Sequence, residues 1–311
     1  MTITALGDSF TNPQYGSTTN HGYLSVFSRL INQTIVNKGI NGAQVPDQTA
    51  NLCGINIVSG DKSILELGTN DHWRYGGNAT KRGYYRRGIQ ACAAWLGLVD
   101  KQKGINNTAL TGTWVNTTSF ATGKMSQVAG STLTWVVSGT TVYVGSIQFD
   151  GNGSSFNITI DGVNMGNFLT GTTGLITYQS MPCGQMLLRF PNLAAGSHTV
   201  VFTALGGGYA YAEWCAGSDS VKAAVYVMNM TYDTTAGYAQ CPTQPVSNTT
   251  FAPYNADLLS AMNELIADGL DIKFIDNNSI CNPTYDTYSD GVHPNDTGHC
   301  KIAMNLFKNW V

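Results

Sequence analysis

Over the first hundred residues the apolar positions follow two alternating rhythms. Short continuous runs, "TITALG", "TIVNKG" and "SILELG", read as buried strands. Between them "GYLSVFSRLI" sets Leu24, Phe27 and Ile31 on one helical face, and "YYRRGIQACAAWLGLV" continues as a long helix. This alternation predicts a parallel sheet with helices on its faces. From Asn106 to about Gly217 the texture changes. "STLTWVVSG", "TVYVGSIQF", "SFNITIDG", "MLLRFPN" and "SHTVVFTAL" are strand-like, punctuated by Gly, Asn and Ser, and without helical period. Such a pattern predicts an antiparallel β-sandwich. The first rhythm then resumes, with "KAAVYVMNM" as a strand and "YNADLLSAMNELIADGL" as a helix. That helix has Leu258, Leu259, Met262, Leu265 and Ile266 spaced for one face and Gly269 placed to stop it. "DIKFIDN" gives a last strand and "NDTGHCKIAMNLFKNWV" a closing helix.

Neither flanking part has enough strands for a doubly wound sheet by itself. The chain therefore reads as one α/β domain assembled from residues 1–106 and 218–311, interrupted by an inserted sandwich over 107–217 of carbohydrate-binding-like texture.

Composition narrows the partners. Of 311 residues only 11% are charged and the formal net charge is −3, so the exterior owes its polarity mainly to Asn, Thr, Ser and Gly. No basic stripe is available to neutralise phosphates, which argues against nucleic acid. No apolar run approaches the roughly 18 to 20 residues of a membrane span. The first strand begins at Thr2, leaving no room for a signal peptide, and the neutral polar exterior suits an extracellular or virion-associated protein, such as part of a phage tail. Seven cysteines lie scattered without a C-x-x-C pair, so no metal site and no redox motif is expected. Bridges such as Cys183 with Cys215 or Cys281 with Cys300 are left open by the spacing.

In an open parallel sheet, chemistry collects beyond the carboxyl ends of the strands. Three such ends carry polar, Gly-containing turns: Gly7-Asp8-Ser9, Asn37 to Gly42, and Gly68-Thr69-Asn70-Asp71. A serine hydroxyl needs a base to take its proton, and the base needs a carboxylate to orient it. "DGVHPN" supplies both, with Asp290 three residues before His293. Backbone N–H groups of Ser9 and Gly42 and the side-chain amide of Asn70 are available as oxyanion donors.

These blocks resemble those of the SGNH (GDSL-like) hydrolases. "GDS" with Ser9, "NKGINGA" with Gly42, "LGTND" with Asn70 and "DGVHPN" with Asp290 and His293 occur in the family's order. The resemblance covers roughly 1–105 and 218–311. It implies a flavodoxin-like three-layer α/β/α fold and a serine esterase needing neither metal nor cofactor. The departures are Phe10 where the name-giving leucine would stand, and Asn41 and Ala43 beside the second-block glycine, which make Gly39 a rival to Gly42. The α/β-hydrolase elbow G-x-S-x-G is absent from the sequence.

Several neighbours have plainer readings. Asp8 braces its turn and Asp71 is a turn residue. His293 competes with His21, His72, His198 and His299 for the role of base; His198 falls in the insertion, and His299 is expected in a surface or capping role on the closing helix. His72 and Trp73, next to the third block, are expected to line the substrate pocket. The insertion's aromatics, among them Trp114, Trp135, Tyr143, Tyr209, Tyr211 and Trp214, either fill its core or stack on sugars. The expected activity is hydrolysis of a carboxylic ester through an acyl-enzyme, with an acetylated polysaccharide as substrate. A broad-specificity lipase or aryl esterase, and an inactive glycan-binding adhesin, are the alternatives.

Overall fold

The computed structural model describes residues 1–12, 20–117, 123–151, 153–175, 183–241 and 246–311. Five strands form the parallel sheet: β1 (Ile3–Gly7), β2 (Ile35–Asn37), β3 (Lys62–Glu66), β4 (Ala224–Met228) and β5 (Ile272–Ile275), in the order β5-β4-β3-β1-β2. All four pairings are parallel. This is the flavodoxin-like order, whose direction of winding reverses between β1 and β3.

The strands are apolar on both faces because both faces are covered. On one side Leu6, Leu65, Val225 and Val227 pack with helices α2 (Val45–Asn51), α4 (Ala79–Gly97) and α5 (Asn248–Ala267). On the other, Ile3, Ala5, Ile64, Tyr226 and Met228 meet α1 (Tyr23–Ile31) and the closing helix α6 (Asp296–Asn309). Between β3 and α4 runs the short α3 (Thr69–Tyr75). The three-layer expectation is met. The face read for α5 is corrected in part: Leu258, Met262 and Leu265 are buried, while Leu259 and Ile266 are exposed. Phe251, Tyr254 and Ala261 complete the buried stripe, so its centre is rotated from the leucine-rich side.

Among the described residues the inserted part is built on two packed sheets, with a small third sheet of Ala210–Ala212, Lys124–Ser126 and Val115–Asn116. The outer one runs through Val163–Leu169, Ser155–Ile160, Ser197–Ala204, Thr132–Ser138 and Ala109–Thr111. The inner one is centred on Val142–Asp150, which pairs antiparallel with Cys183–Phe190 and with Trp214–Gly217; the last also pairs with Gln102–Lys103. Trp135, Phe156 and Phe202 fill the space between the sheets. The far face of the inner sheet lies on the α/β part, where Trp214 meets Trp95 of α4 edge-on at 5.8 Å and Tyr143 and Leu187 join the helix-side core. Arg189 grips Asp268 with two nitrogens, and Tyr143 donates to the same carboxylate at 2.8 Å. The outward and return crossings pair with each other: Val99 N–H bonds Val221 O at 2.9 Å and Ala223 N–H bonds Gly97 O at 3.0 Å. This neck lies a little outside the span 107–217.

Cys92, Cys183, Cys215, Cys241, Cys281 and Cys300 are free thiols, so the two suggested bridges are absent. Among the described residues no helix is long and apolar enough to cross a membrane, and no group of three His, Cys, Asp or Glu could hold a metal ion.

Candidate active site

β1 ends at Gly7, and the turn that follows is fastened by Asp8: its Oδ1 accepts the Phe10 N–H at 3.0 Å. Asn12 N–H closes back on Asp8 O at 2.9 Å. Ser9 is carried at the rim of this turn, at the point where the winding of the sheet reverses. The second-block loop lies alongside, tied by Ile40 N–H to Gly7 O at 3.1 Å. Gly42 turns it with φ of 76°, a conformation that favours glycine. β3 delivers Asn70 in the first turn of α3.

The loop from 286 to 295 comes from the other end of the chain. Asp290 Oδ1 accepts the backbone N–H groups of Val292 at 2.9 Å and His293 at 3.1 Å, and so folds its carboxylate over the loop. Its Oδ2 stands 2.8 Å from His293 Nδ1, and His293 Nε2 stands 2.9 Å from Ser9 Oγ. Gly291, at φ 70°, sits against Thr234, where a Cβ would collide with the hydroxyl. Thr234 N–H holds Gly291 O at 2.8 Å, and Gln240 Nε2 donates to Asp290 O, so the segment after β4 clamps the loop. The Phe10 ring meets the imidazole edge-on, 5.8 Å between centroids.

Asn70 is held at the same rim, with Nδ2 donating to Asp8 Oδ2 at 3.0 Å and to Ala43 O at 3.1 Å. The structure thus groups Ser9, Asp290 and His293 in one hydrogen-bonded chain, and sets Asn70 and the Gly42 loop next to it. Among the described residues neither the Ser9 nor the Gly42 N–H is spent on another acceptor.

The expectation for His72 is overturned. Its ring is fully buried, Nε2 lies 2.8 Å from Thr250 Oγ1, and Phe251 and Tyr254 of α5 pack edge-on against it. Burial pushes its pKa down to about 4, so it is a neutral tie between α3 and α5 and not a pocket wall. Trp73 stays partly exposed, with its indole N–H on Asp233 Oδ2 at 2.7 Å. His299 is not a surface residue: it is buried, accepts the Tyr23 N–H at Nδ1, and is pushed down to about 4 by burial. Asp71 is more than a turn residue. Buried, it accepts the Val45 N–H at 3.0 Å, and desolvation lifts its carboxyl to about 8 despite that bond.

Two acids escaped the sequence reading. Asp233, just beyond the end of β4, is buried beside Trp73, and desolvation lifts it to about 8 with the charges of Asp290 and Asp8 adding to the rise. Its position past a strand end is the signal that could have found it. Glu66, within the run read as apolar, lies beneath Asp8.

No family model matches the chain, and no curated protein matches it. Among solved structures the chain is similar to a member of the lipolytic G-D-S-L family from Veillonella parvula DSM 2008. The identity is 12% over 100% of this chain and 98% of that one, with a TM-score of 0.46. It is similar to a Clostridium thermocellum family 3 carbohydrate esterase at 12% identity, over 99% of this chain and 94% of that one, with a TM-score of 0.43. A two-domain esterase active on acetylated mannans matches at 10% identity over 70% of this chain and 90% of that one, with a TM-score of 0.41. The resemblance to the SGNH hydrolases rests on the four sequence blocks and on where the sheet puts them.

Proposed function

We propose that the protein is a serine esterase of the SGNH type that removes acetyl groups from a polysaccharide. The observation that carries the reading is the continuous chain Asp290–His293–Ser9, with contacts of 2.8 and 2.9 Å. An imidazole whose Nδ1 is fixed by a carboxylate offers Nε2 as the base, and the group at Nε2 is a hydroxyl. As Ser9 Oγ attacks the carbonyl carbon, its proton passes to His293 Nε2, and Asp290 stabilises the imidazolium. The imidazolium returns that proton to the leaving alcohol as the ester C–O bond breaks. A water molecule then gives a proton to His293 and attacks the acyl carbon, the imidazolium returns that proton to Ser9 Oγ as the bond between Oγ and the acyl carbon breaks, and the acid departs.

Charge that develops on the carbonyl oxygen would be met by the N–H groups of Ser9 and Gly42 and by Asn70. Each such donor is typically worth about 3 kcal/mol of barrier. One hydrogen of Asn70 Nδ2 stays on Asp8 and fixes the amide plane, while the other, on Ala43 O in the resting structure, is the one the oxyanion draws off. Trp73, partly exposed and held by Asp233, is the aromatic side chain this reading offers to the substrate.

The glycan substrate is favoured by the weakly charged, Asn- and Thr-rich exterior and by the sandwich docked on the hydrolytic part, features that also suit an extracellular or virion-borne enzyme. The test is acetate release from a panel of acetylated polysaccharides by the wild type and by Ser9→Ala. Release by the wild type alone is expected. Equal release by both proteins, or turnover confined to long-chain acyl esters, would refute the reading.

A further inference from the structure

Beneath the nucleophile turn lie two carboxyl groups, those of Asp8 and Glu66. Gly7 and Glu66 are register partners on β1 and β3, which brings the side chain of Glu66 under Asp8. Asp8 is fully buried and Glu66 is 3% exposed. Among the described residues neither takes part in an ion pair. The titratable groups that face them are Tyr23 from α1, reached through Thr11, Asp71 from α3, Tyr85 from α4 and Asp233 from the segment after β4. His299 of α6 stands behind Tyr23 and is neutral. None of these supplies a positive charge.

The hydrogen bonds decide where the negative charge sits. Both oxygens of Asp8 accept, Oδ1 from the Phe10 N–H and Oδ2 from Asn70 Nδ2. Among the described residues Glu66 accepts the Thr11 hydroxyl, at Oε2 and 3.2 Å, and its buried Oε1 meets no donor at full hydrogen-bonding geometry. An ionised oxygen without a donor in a dry interior is the costliest of the available states. Two carboxylates in contact cannot both ionise, so one of them keeps its proton. Burial raises both groups; the Phe10 and Asn70 bonds oppose the rise at Asp8, and the Asp8 charge adds to it at Glu66.

We propose that Asp8 and Glu66 hold one proton between them, resident on Glu66, and that this acid–anion pair is what fixes the Asn70 amide and the Ser9 turn. Glu66 is then a positioning residue for the ester hydrolysis, acting through Asp8 and touching no substrate. The inference rests on the esterase reading above and adds to it a requirement: the site needs a neutral group at position 66. In alkali the shared proton leaves, two anions face each other without a counter-charge, and the turn that carries Ser9 and the Asn70 amide is forced apart. The limb this produces on the basic side of the pH profile belongs to Glu66.

Glu66→Gln is the discriminating variant, since an amide can donate to Asp8 and accept from Thr11 as the neutral acid does, but cannot ionise. With a short-chain nitrophenyl ester, kcat at neutral pH is expected to stay within about twofold of wild type, a small effect on the transition-state scale. The alkaline fall in kcat/KM should vanish or move up by at least about one pH unit, as it does when the ionising group is removed. Glu66→Leu, which leaves Asp8 without its partner, should lose kcat by about tenfold or more at little change in KM, the mark of lost positioning.

If Glu66→Gln keeps the wild-type alkaline limb, that limb belongs to Asp71, Asp233, Tyr23 or Tyr85 and the proposal fails. It also fails if the wild type shows no limb, if Glu66→Gln loses as much as Glu66→Leu, or if it does not fold. Ser9→Ala is run alongside. Activity surviving in Ser9→Ala sinks the esterase reading itself, whereas a dead Ser9→Ala with an unaltered Glu66→Gln limb sinks only the role of Glu66.

Discussion

His198 of the inserted sandwich and His293 of the α/β part each set Nδ1 on an aspartate, at 2.6 and 2.8 Å. What separates them is the other nitrogen. His198 Nε2 faces the carbonyl oxygens of Gly139 and Ala194, both at 2.9 Å, and these can only accept. Acceptors on both sides favour the doubly protonated ring, and its pKa is raised, first by the bond to Asp161. His293 Nε2 faces a hydroxyl, which has a proton to give. An aspartate behind an imidazole therefore does not make a base. The group in front of it decides whether the pair performs chemistry or ties two loops together.

The comparison is broken most severely at Ser9. Removing the hydroxyl leaves His293 with nothing to deprotonate, and Ser9→Ala should lower kcat for a nitrophenyl ester by about a millionfold. The fold should remain intact by circular dichroism. The next effect is at the carboxylates. Asp290→Asn should cost about 10³ to 10⁴ in kcat, because the ring is left in the wrong tautomer. The matching change in the insertion, Asp161→Asn, should leave kcat/KM unaltered and lower Tm by about 1–3 °C, as expected for a pair with one exposed partner. A catalytic loss from Asp161→Asn would mean that the two histidines are not separated as described.

The smallest effect is in pH. A histidine with a raised folded pKa adds stability that is complete below its unfolded value, about 6.5, and is lost as pH rises through the folded value. The wild type should therefore shed part of its margin over His198→Gln on going from mildly acidic to mildly alkaline buffer, read as converging Tm values. Parallel Tm curves would show that the ring is not charged.

How far all this could be read in advance varies with the range of the interaction. The strands of the parallel sheet announce themselves because each is a short apolar run between turn residues, and the blocks around Ser9, Asn70 and His293 are local patterns. Glu66 was hidden in such a run: only the pairing of Gly7 with Glu66 across two strands reveals that it meets Asp8. His72 looked like a rim residue because its neighbours in sequence are at the rim. The aromatic residues of α5 that bury it lie nearly 180 positions away, and no periodicity near His72 reports them. The same is true of His299, buried by contact with Tyr23 at the opposite end of the chain. In the insertion the core aromatics were legible as a class, and Trp135, Tyr143 and Trp214 are fully buried, while Tyr209 stays more open.

The paired neck has a consequence for how the two parts coexist. Because Gly97 and Val99 bond directly to Ala223 and Val221, the ends of the guest already touch where they leave the host. To the sheet, the whole sandwich is topologically a tight turn between α4 and β4. The entropy of closing so long an excursion, which grows only slowly with its length, is met within the guest's own folding and leaves the register of β3 with β4 undisturbed. The outer sheet of the guest could thus change in size without moving the strand ends that hold Ser9 and Asn70, whereas its inner face stays tied to α4 through Trp214 and Trp95.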